Sequence, residues 1–501
     1  MGALSLGSVI TLFAQWLIVP VAMHGWGAKR YGEWTALIAL VGTLNLMDLG
    51  LQNFVSNRLC AAYARLDHSE FLEALHSSIL VVAPLVAITM IIIGVSVCLV
   101  PLGPLLKFKT IGGRQLAAVV VMLSIEPLMG VATGIIGGIY RATGQLARGA
   151  MIANSRSMTL LCLTLALIAH HYSFMSVAIA RASAASAVAG FVLWDVRRSN
   201  SWVRLWPMHG TWRGGFGMIG PSTYFLLLPV ANYLGNEVII FLIQRVLGGV
   251  EVGRYSTHRT ALGVARMAST LVAVALWPEM TMIHARRQYQ QLERLHRIFA
   301  RTNFWLVACI VALTIAALPM FYGIWTARRL TLDPWTLGIL SLRAIFWGSW
   351  SSSMTLLLSI NRQRSVAISL LASASIAGLL GYYLIPAWGI SGAACALLVG
   401  DLCAPAWVLP AIASQEMRSD LSTFLLHRFA LPMLALAVPA GSAMAAWSVI
   451  NSQLARYFVI IPLVAIFALV SIWRQLEPLE RRLVKEWFDQ AASGARVLFS
   501  L

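Results

Sequence analysis

Seven ionisable side chains lie inside long apolar segments of the sequence, and they are the first candidates for chemistry. They are Asp48, Glu126, Arg181, Glu237, Arg266, Arg343 and Asp401. A charge at the centre of a bilayer costs about 2.5 to 3.5 kcal/mol on insertion scales, so these groups are expected to face a cavity or one another. Arginines in a cavity bind anions, and carboxyl groups there can bind and release a cation. Internal salt pairs that only stabilise the structure are the alternative.

The composition of the chain requires a lipid environment. Of its 501 residues, 59% are hydrophobic and 11% are charged, and the mean hydropathy is +0.77. Average proteins carry about 25% charged residues, so this chain cannot cover the surfaces of several soluble domains with polar groups. The net charge of +18 is dispersed along the chain, which argues against nucleic acid as a partner. The six cysteines show no paired spacing, so neither a disulfide framework nor a metal site is predicted.

Apolar segments long enough to cross a membrane recur along the whole chain. A bilayer core needs roughly 20 apolar residues per helix, and on this measure we predict about 14 spans and an all-α polytopic membrane protein. The predicted spans cover 4–24, 34–54, 76–100, 116–139, 150–169, 174–194, 215–247, 255–276, 303–325, 336–360, 365–386, 391–412, 427–449 and 454–473. The segment 215–247 is long for one crossing and contains Pro221 and Pro229, which predicts a helix that is tilted, kinked or partly interfacial.

Two outside turns share a pattern that indicates an internal repeat. GAKRYGEW at 27–34 and GGVEVGRY at 248–255 both carry glycines five residues apart, followed two residues later by an aromatic residue. Their offset is 221 residues (248 − 27), and it also equates the first span with the seventh and the second with the eighth. Two parallel six-helix repeats about an axis along the membrane normal are an architecture of transporters with a central site.

Domain boundaries and orientation follow from the spans and the repeat. The predicted parts are a first half at 1–195, a basic cytoplasmic linker at 196–214, a second half at 215–413, two additional membrane helices within 425–474 and a cytoplasmic tail at 475–501. Basic loops are retained on the cytoplasmic side, and most loop arginines fall there if both termini are cytoplasmic. None of the loops is long enough to hold a folded domain, so any chemistry has to take place within the helix bundle.

Several runs of the sequence resemble polysaccharide-type flippases of the multidrug/oligosaccharidyl-lipid/polysaccharide (MOP) exporter superfamily. The run GAKRYGEWTALIALVGTLNLMDLGLQNFVSNRL is similar to the opening of these flippases, with Asp48-Leu49-Gly50 and Arg58 at the expected places. IIFLIQRVLGGVEVGRYSTHRTALGVARMASTLVAVALWPEM and IPAWGISGAACALLVGDL resemble the corresponding second-half segments. The sequence departs from the family in the seventh helix, where Glu237 stands in place of the usual Asp. The resemblance implies a bacterial inner-membrane flippase for an undecaprenyl-diphosphate-linked sugar unit.

The arginines are the candidates for binding such a substrate. Subtracting the offset places Arg266 at the position of Asn45, one turn before Asp48, and Arg259 precedes Arg266 by two turns on the same helix face. A ladder of guanidinium groups suits a diphosphate, because each can bind phosphate oxygens bidentately and stays charged. The predicted cationic cavity contains Arg266 first, then Arg343, Arg181, Arg259, Arg58 and Arg156. For Arg58 and Arg156, near the cytoplasmic mouth, capture of the headgroup and anchoring of helix ends both remain open.

The carboxyl groups are the candidates for ion coupling. A carboxyl group in a low-dielectric cavity has a raised proton affinity, so it can bind a proton or a sodium ion in one state and release it in another. Glu237, Asp48 and Asp401 are predicted in this role, with Glu126 as a further candidate. Glu126 precedes Pro127, which tends to kink a helix, so hinge, coupling site and satisfied salt pair all stay open for it. No cofactor and no metal is predicted.

These residues are compatible with three classes of function to different degrees. The leading hypothesis is a flippase that works by alternating access in the synthesis of a surface polysaccharide such as an exopolysaccharide or O-antigen. Its partners would be the lipid-linked oligosaccharide, membrane lipids and other polysaccharide-assembly proteins. The alternative is an ion-coupled multidrug exporter of the same superfamily, for which a cavity dominated by acids is expected. A membrane glycosyltransferase or polymerase is less favoured, because the outside loops are short and no catalytic motif is present, so the chain is predicted not to be an enzyme.

Overall fold

The computed structural model describes residues 2–100, 102–105 and 107–419. Within them the chain forms helices and no β-strand. The helices are α1 (Gly2–Gly25), α2 (Gly27–Gly42), a 3-10 helix (Thr43–Asp48), α3 (Leu51–Ala64), α4 (His68–Leu99), α5 (Leu102–Leu105), α6 (Gly113–Ala142), α7 (Leu146–Ala169), α8 (Phe174–Ser199), α9 (Trp212–Val246), α10 (Gly249–Ala285), α11 (Tyr289–Trp325), α12 (Pro334–Ser359), α13 (Gln363–Cys403) and α14 (Pro405–Glu416). The predicted helices within 425–474 and the tail 475–501 lie outside the described residues.

The all-α membrane fold predicted from the sequence is confirmed. Each of the first twelve predicted spans coincides with a helix or with helices that follow each other directly; the eleventh and twelfth meet in α13, which is kinked at Gly389. In the described part of the chain, eight helical segments are long and apolar enough to cross a membrane. The total of fourteen spans stays a prediction.

The long seventh span is one helix. α9 runs for 35 residues from Trp212 to Val246. At 1.5 Å per residue this is a length of about 52 Å, well beyond the roughly 30 Å of a hydrocarbon core. The helix therefore tilts in the bilayer or extends past it.

The internal repeat recurs in the contacts of the outside turns. Gly27 and Gly248 both adopt the left-handed backbone conformation, with φ of 83° and 90°. The Glu33 carboxylate accepts a hydrogen bond from the Lys109 main-chain N–H at 2.9 Å and further hydrogen bonds from Thr110. At the equivalent place, Arg254 Nε donates to the Thr331 carbonyl at 2.9 Å. Residues 33 and 254, like 110 and 331, differ by the same 221 positions, so each half fastens its outer loop at the same point.

The two repeated turns also pack against each other through glycines. A Cβ atom placed on Gly32 would lie 1.5 Å from the Gly249 carbonyl oxygen, and one on Gly249 would lie 2.8 Å from the Lys29 carbonyl oxygen. Only glycine fits at these positions, because backbone approaches backbone directly. The N-terminal ends of α2 and α10, which carry these turns, are therefore in close contact.

The second span is broken at the Asp48-Leu49-Gly50 motif, whereas its counterpart α10 is continuous. Leu49 and Gly50 adopt left-handed conformations, with φ of 50° and 74°. Asp48 Oδ1 accepts a hydrogen bond from the Gly50 N–H at 3.0 Å, and Ser222 Oγ of α9 donates to the Leu49 carbonyl at 2.8 Å. The carboxylate and the serine thus satisfy backbone groups that the break exposes.

The described residues pack as two compact units. The first comprises Met1–Met267, Pro319–Arg343 and Asn361–Pro405, and it contains every candidate site residue. Of the described residues, the second comprises Ala268–Leu318, Ala344–Ile360 and 406–419. The predicted division into six-helix halves, linker and tail stays a prediction.

An ion pair fastens α6, α7 and α8 to one another near the C-terminal ends of α6 and α8 and the N-terminal end of α7, in the first unit. Asp195 is 3% exposed and accepts hydrogen bonds from Arg148 Nη2 at 2.6 Å and from the Tyr140 hydroxyl at 2.7 Å. Burial alone would raise the pKa of Asp195, but these hydrogen bonds outweigh burial and lower it below its ordinary value.

We expect the Asp195→Asn protein to melt roughly 1–3 °C below the wild type at neutral pH. A carboxylate with a lowered folded pKa contributes stability above its unfolded pKa of about 3.9, and this contribution disappears as the pH falls through the folded pKa. The difference in melting temperature should therefore shrink below about pH 4. Thermal unfolding of the solubilised protein between pH 7 and pH 3 measures it, with Arg197→Gln at an exposed position of the same helix end as the control. A difference that stays constant across this range would contradict the assignment.

Candidate functional site

A buried ion pair joins α6 and α8 in the first half. Arg181 Nε and Nη2 donate to the two Glu126 carboxylate oxygens at 2.7 and 2.9 Å. Arg181 Nη1 also donates to Thr164 Oγ1 of α7 at 3.0 Å, and Arg156 Nη2 donates to the Glu126 carbonyl at 3.1 Å. Both charged side chains are 18% exposed. The bidentate geometry, supported by a hydroxyl and a second arginine, is that of a well-satisfied internal pair.

A second ion pair joins α12 and α13 in the second half. Arg343 Nε donates to Asp401 Oδ2 at 2.8 Å, and Ser373 Oγ donates to Asp401 Oδ1 at 2.8 Å. Asp401 is buried. Ser373 precedes the kink at Gly389 and Asp401 follows it, so these contacts join both arms of α13 to α12.

The two pairs occupy corresponding places with inverted charge. Glu126 and Arg343 belong to the fourth helix of their halves, and Arg181 and Asp401 belong to the sixth. Their separations are 217 (343 − 126) and 220 (401 − 181), within one helical turn of the repeat offset. The fifth helix supplies a hydroxyl in both cases, from Thr164 and from Ser373. As positioned, these four charged groups are engaged with one another, which is the structural pairing that the sequence left open.

A third group of charges lies on α9 and α10. Arg259 Nη1 donates to the Asn236 carbonyl at 3.0 Å and lies 3.8 Å from Glu237 Oε1. This contact is much looser than the two pairs above, and both side chains are partly exposed. Arg266, two turns further along α10, is exposed and lies within electrostatic range of Arg343 and Asp401. The structure thus brings the candidates of the second half into one region.

Two further candidates make local contacts. Arg58 Nε is 3.9 Å from Glu70 Oε1, and Arg65 binds the same carboxylate at 2.5 Å. Asp48 binds the backbone at the break of the second span. The roles predicted for Arg58 and Asp48 stay predictions.

Tyr255 and the amide Asn45 are candidate site residues that were not predicted from the sequence. The Tyr255 hydroxyl is buried, has no hydrogen-bond partner and is within electrostatic range of Arg259 and Glu237. Asn45 is exposed at the position equivalent to Arg266. Both are polar but not charged side chains inside apolar spans, and this is the feature of the sequence that identifies them.

Solved transporters share this arrangement of helices. No family model matches the sequence, and no curated protein matches it. The lipid II flippase MurJ in an inward closed conformation aligns with a TM-score of 0.66 and 12% identity, over 94% of this chain and 99% of that chain. An inward-facing multidrug resistance MATE family transporter of the MOP superfamily aligns with a TM-score of 0.62 and 13% identity, over 83% of this chain and 95% of that chain. The chain has the transporter fold of the MOP superfamily.

The shared fold confirms the resemblance in architecture. Proteins with this fold differ in the polarity of their binding pockets. A MOP superfamily transporter from Pyrococcus furiosus aligns with a TM-score of 0.50 and 14% identity, over 83% of this chain and 96% of that chain, and is described as having a binding pocket of reverse polarity that suggests a different function.

Proposed function

We propose that the protein is a flippase that moves a polyprenyl-diphosphate-linked oligosaccharide repeat unit across the bacterial inner membrane. The proposal rests on Arg266, an exposed arginine within the apolar helix α10, with Arg259 on the same helix and Arg343 within electrostatic range. A guanidinium that faces water inside a membrane protein is a binding site for an anion. The diphosphate is the anionic part of such a substrate, and the lipid tail would remain in the bilayer.

Ion coupling is assigned to the loosest of the carboxylate contacts. The Glu237–Arg259 distance of 3.8 Å leaves the carboxylate able to exchange arginine for a proton or a sodium ion. Glu126 and Asp401 are engaged in short hydrogen bonds, so releasing them for coupling would cost more. Glu237 is therefore our first coupling candidate, ahead of Asp401, Glu126 and Asp48.

An ion-coupled multidrug exporter is the second candidate function. The TM-score of 0.62 with a MATE family transporter and the partly exposed Glu237 favour it. A cationic drug would be repelled by Arg266 and Arg259, whereas a diphosphate would be attracted. This difference in sign gives the experiment its discriminating power.

We expect Arg266→Ala to reduce export of the lipid-linked repeat unit by about tenfold or more, because a hydrogen bond to a charged group contributes roughly 1.5–3 kcal/mol. The measurement is the lipid-linked oligosaccharide pool on each membrane leaflet in a strain lacking the gene, restored with wild-type or variant protein. Arg245→Ala, an exposed arginine at the end of α9, is the matched control and should restore export fully. Complete repeat units reaching the periplasmic leaflet without the protein would refute the flippase, and drug sensitivity of the same strain would favour the exporter.

A further inference from the structure

Amide side chains are exposed within three of the membrane-spanning segments. In the described part of the chain, every exposed Asn or Gln within the predicted spans belongs to the first, second or seventh span. They are Gln15, Asn45, Asn53 and Asn232, and Asn57 follows one turn beyond the second span. Asn236, one turn after Asn232, is partly exposed. None of these residues belongs to the ion pairs described above.

Exposing these amides to hydrocarbon would cost free energy. The hydroxyl of a serine or threonine in a span can donate its one hydrogen bond to a carbonyl of its own helix. An amide side chain has two N–H donors and an acceptor oxygen to satisfy. Asn45 and Asn232 each donate one hydrogen bond to their own helix, at 3.1 Å to Gly42 and at 3.0 Å to Leu228. The structure leaves their remaining polar atoms directed outward, which in lipid would cost several kcal/mol per group, so we infer that they face water.

The repeat places amides and Arg266 at equivalent positions around the predicted cationic cavity. Gln15 and Asn236 differ by the offset of 221 residues, and so do Asn45 and Arg266. These helices approach one another in equivalent pairs: Tyr233 of α9 approaches Gly42 of α2, and Gln15 of α1 approaches the equivalent Gly263 of α10. Amides therefore stand at matching depths on helices around the pseudo-twofold axis, with Arg266 among them.

The surplus of positive charge around this cavity is small. Arg181, Arg343 and Arg259 each have a carboxylate oxygen within 4 Å. Such arginines add little net charge, because the neighbouring carboxylate offsets them. The cavity therefore suits a cargo with one localised anionic group and not one that carries negative charge along its whole length.

We propose that these amides bind the sugar portion of the cargo and that this sugar portion is uncharged, built of hydroxyl- and acetamido-bearing units. An amide presents a donor and an acceptor side by side, as do neighbouring sugar hydroxyls and an acetamido group, so the two match without any charge. A carboxylated sugar would instead require additional arginine or lysine side chains. This inference rests on the proposed flippase function, since it names the chemistry of its cargo.

The test compares three defined probes on the full-length protein in lipid nanodiscs by titration calorimetry. They are farnesyl diphosphate, farnesyl diphosphate linked to a neutral trisaccharide containing N-acetylhexosamine, and the same compound with one sugar oxidised to a uronic acid. We expect the neutral compound to bind about tenfold more tightly than farnesyl diphosphate, and the uronic acid compound to bind more weakly than the neutral one. The double variant Gln15→Ala/Asn45→Ala should lose most of the tenfold difference but bind farnesyl diphosphate as the wild type does.

The control is Gln290→Ala/Gln291→Ala, which removes two exposed amides at the cytoplasmic start of α11. It should leave all three affinities unchanged. If wild-type protein binds the neutral compound no better than farnesyl diphosphate, or prefers the uronic acid compound, the inference about the sugar is wrong while the flippase proposal stands. If none of the three probes binds, the flippase proposal itself fails. The wild-type comparison decides between these results even if a variant does not fold.

Discussion

Replacing Gly32 with alanine is expected to abolish transport and to separate the two repeated turns, which the sequence places on the outside of the membrane. The new Cβ atom would lie 1.5 Å from the Gly249 carbonyl oxygen, far inside van der Waals contact. The group on the other side of this contact is a main-chain carbonyl, which cannot rotate away as a side chain could. The outside ends of α2 and α10 would have to separate, and the state seen here would be lost.

Cysteine labelling measures this separation directly. A cysteine at position 45, placed in a background without the native cysteines, should react with a membrane-impermeant maleimide from outside in the Gly32→Ala protein and not in its parent. Gly137→Ala in α6 is the matched control, because nothing lies within 4 Å of a Cβ atom there. Normal transport and unchanged labelling in the Gly32→Ala protein would disprove the expected separation of the turns.

Neutralising one member of a buried ion pair is expected to destabilise the protein strongly, and exchanging the two members is expected to restore much of the loss. Glu126→Gln leaves the guanidinium of Arg181 without its carboxylate in an apolar environment, at a cost of about 3–5 kcal/mol. The double variant Glu126→Arg/Arg181→Glu keeps opposite charges in place. Thermal stability of the solubilised protein and transport activity are both measured for each variant.

The surface pair Glu251–Arg254 provides the control. Its atoms are 3.5 Å apart and its side chains are more exposed than those of the buried pair, so Glu251→Gln should cost less than about 1 kcal/mol. A stable but inactive Glu126→Gln protein whose activity is not recovered by the charge exchange would make Glu126 a coupling residue instead. Stability and activity that are lost and regained together would identify the pair as structural.

The helices were predictable and the pairs were not, for a physical reason. Apolar length is a local property, so each span could be found from about 20 neighbouring residues. Arg181 and Glu126 are 55 residues apart in sequence, and Arg343 and Asp401 are 58 apart. Their pairing depends on how the fourth and sixth helices of each half pack, which hydropathy does not encode. The sequence could state only that four acids and three bases had to avoid lipid.

The break at Leu49 and the contact at Gly32 were missed for a different reason. Asp48 was interpreted by its charge, whereas the structure uses its carboxylate oxygen to hold the Gly50 N–H. Gly32 was recognised as part of a repeated pattern, but its approach to Gly249 involves the other copy of that pattern. A repeat found in sequence gives the equivalence of two segments and not their contact.

The inverted polarity of the two ion pairs limits how the halves of this protein can have been exchanged since their duplication. A recombinant in which the sixth helix of the first half replaced its counterpart would set Arg181 beside Arg343, and the reverse exchange would set Asp401 beside Glu126. Like charges at these depths repel and lack compensation. Gene conversion between the halves is therefore disfavoured at these helices. A change of polarity within one half needs substitutions at both members of its ion pair, so the two halves are expected to diverge independently there.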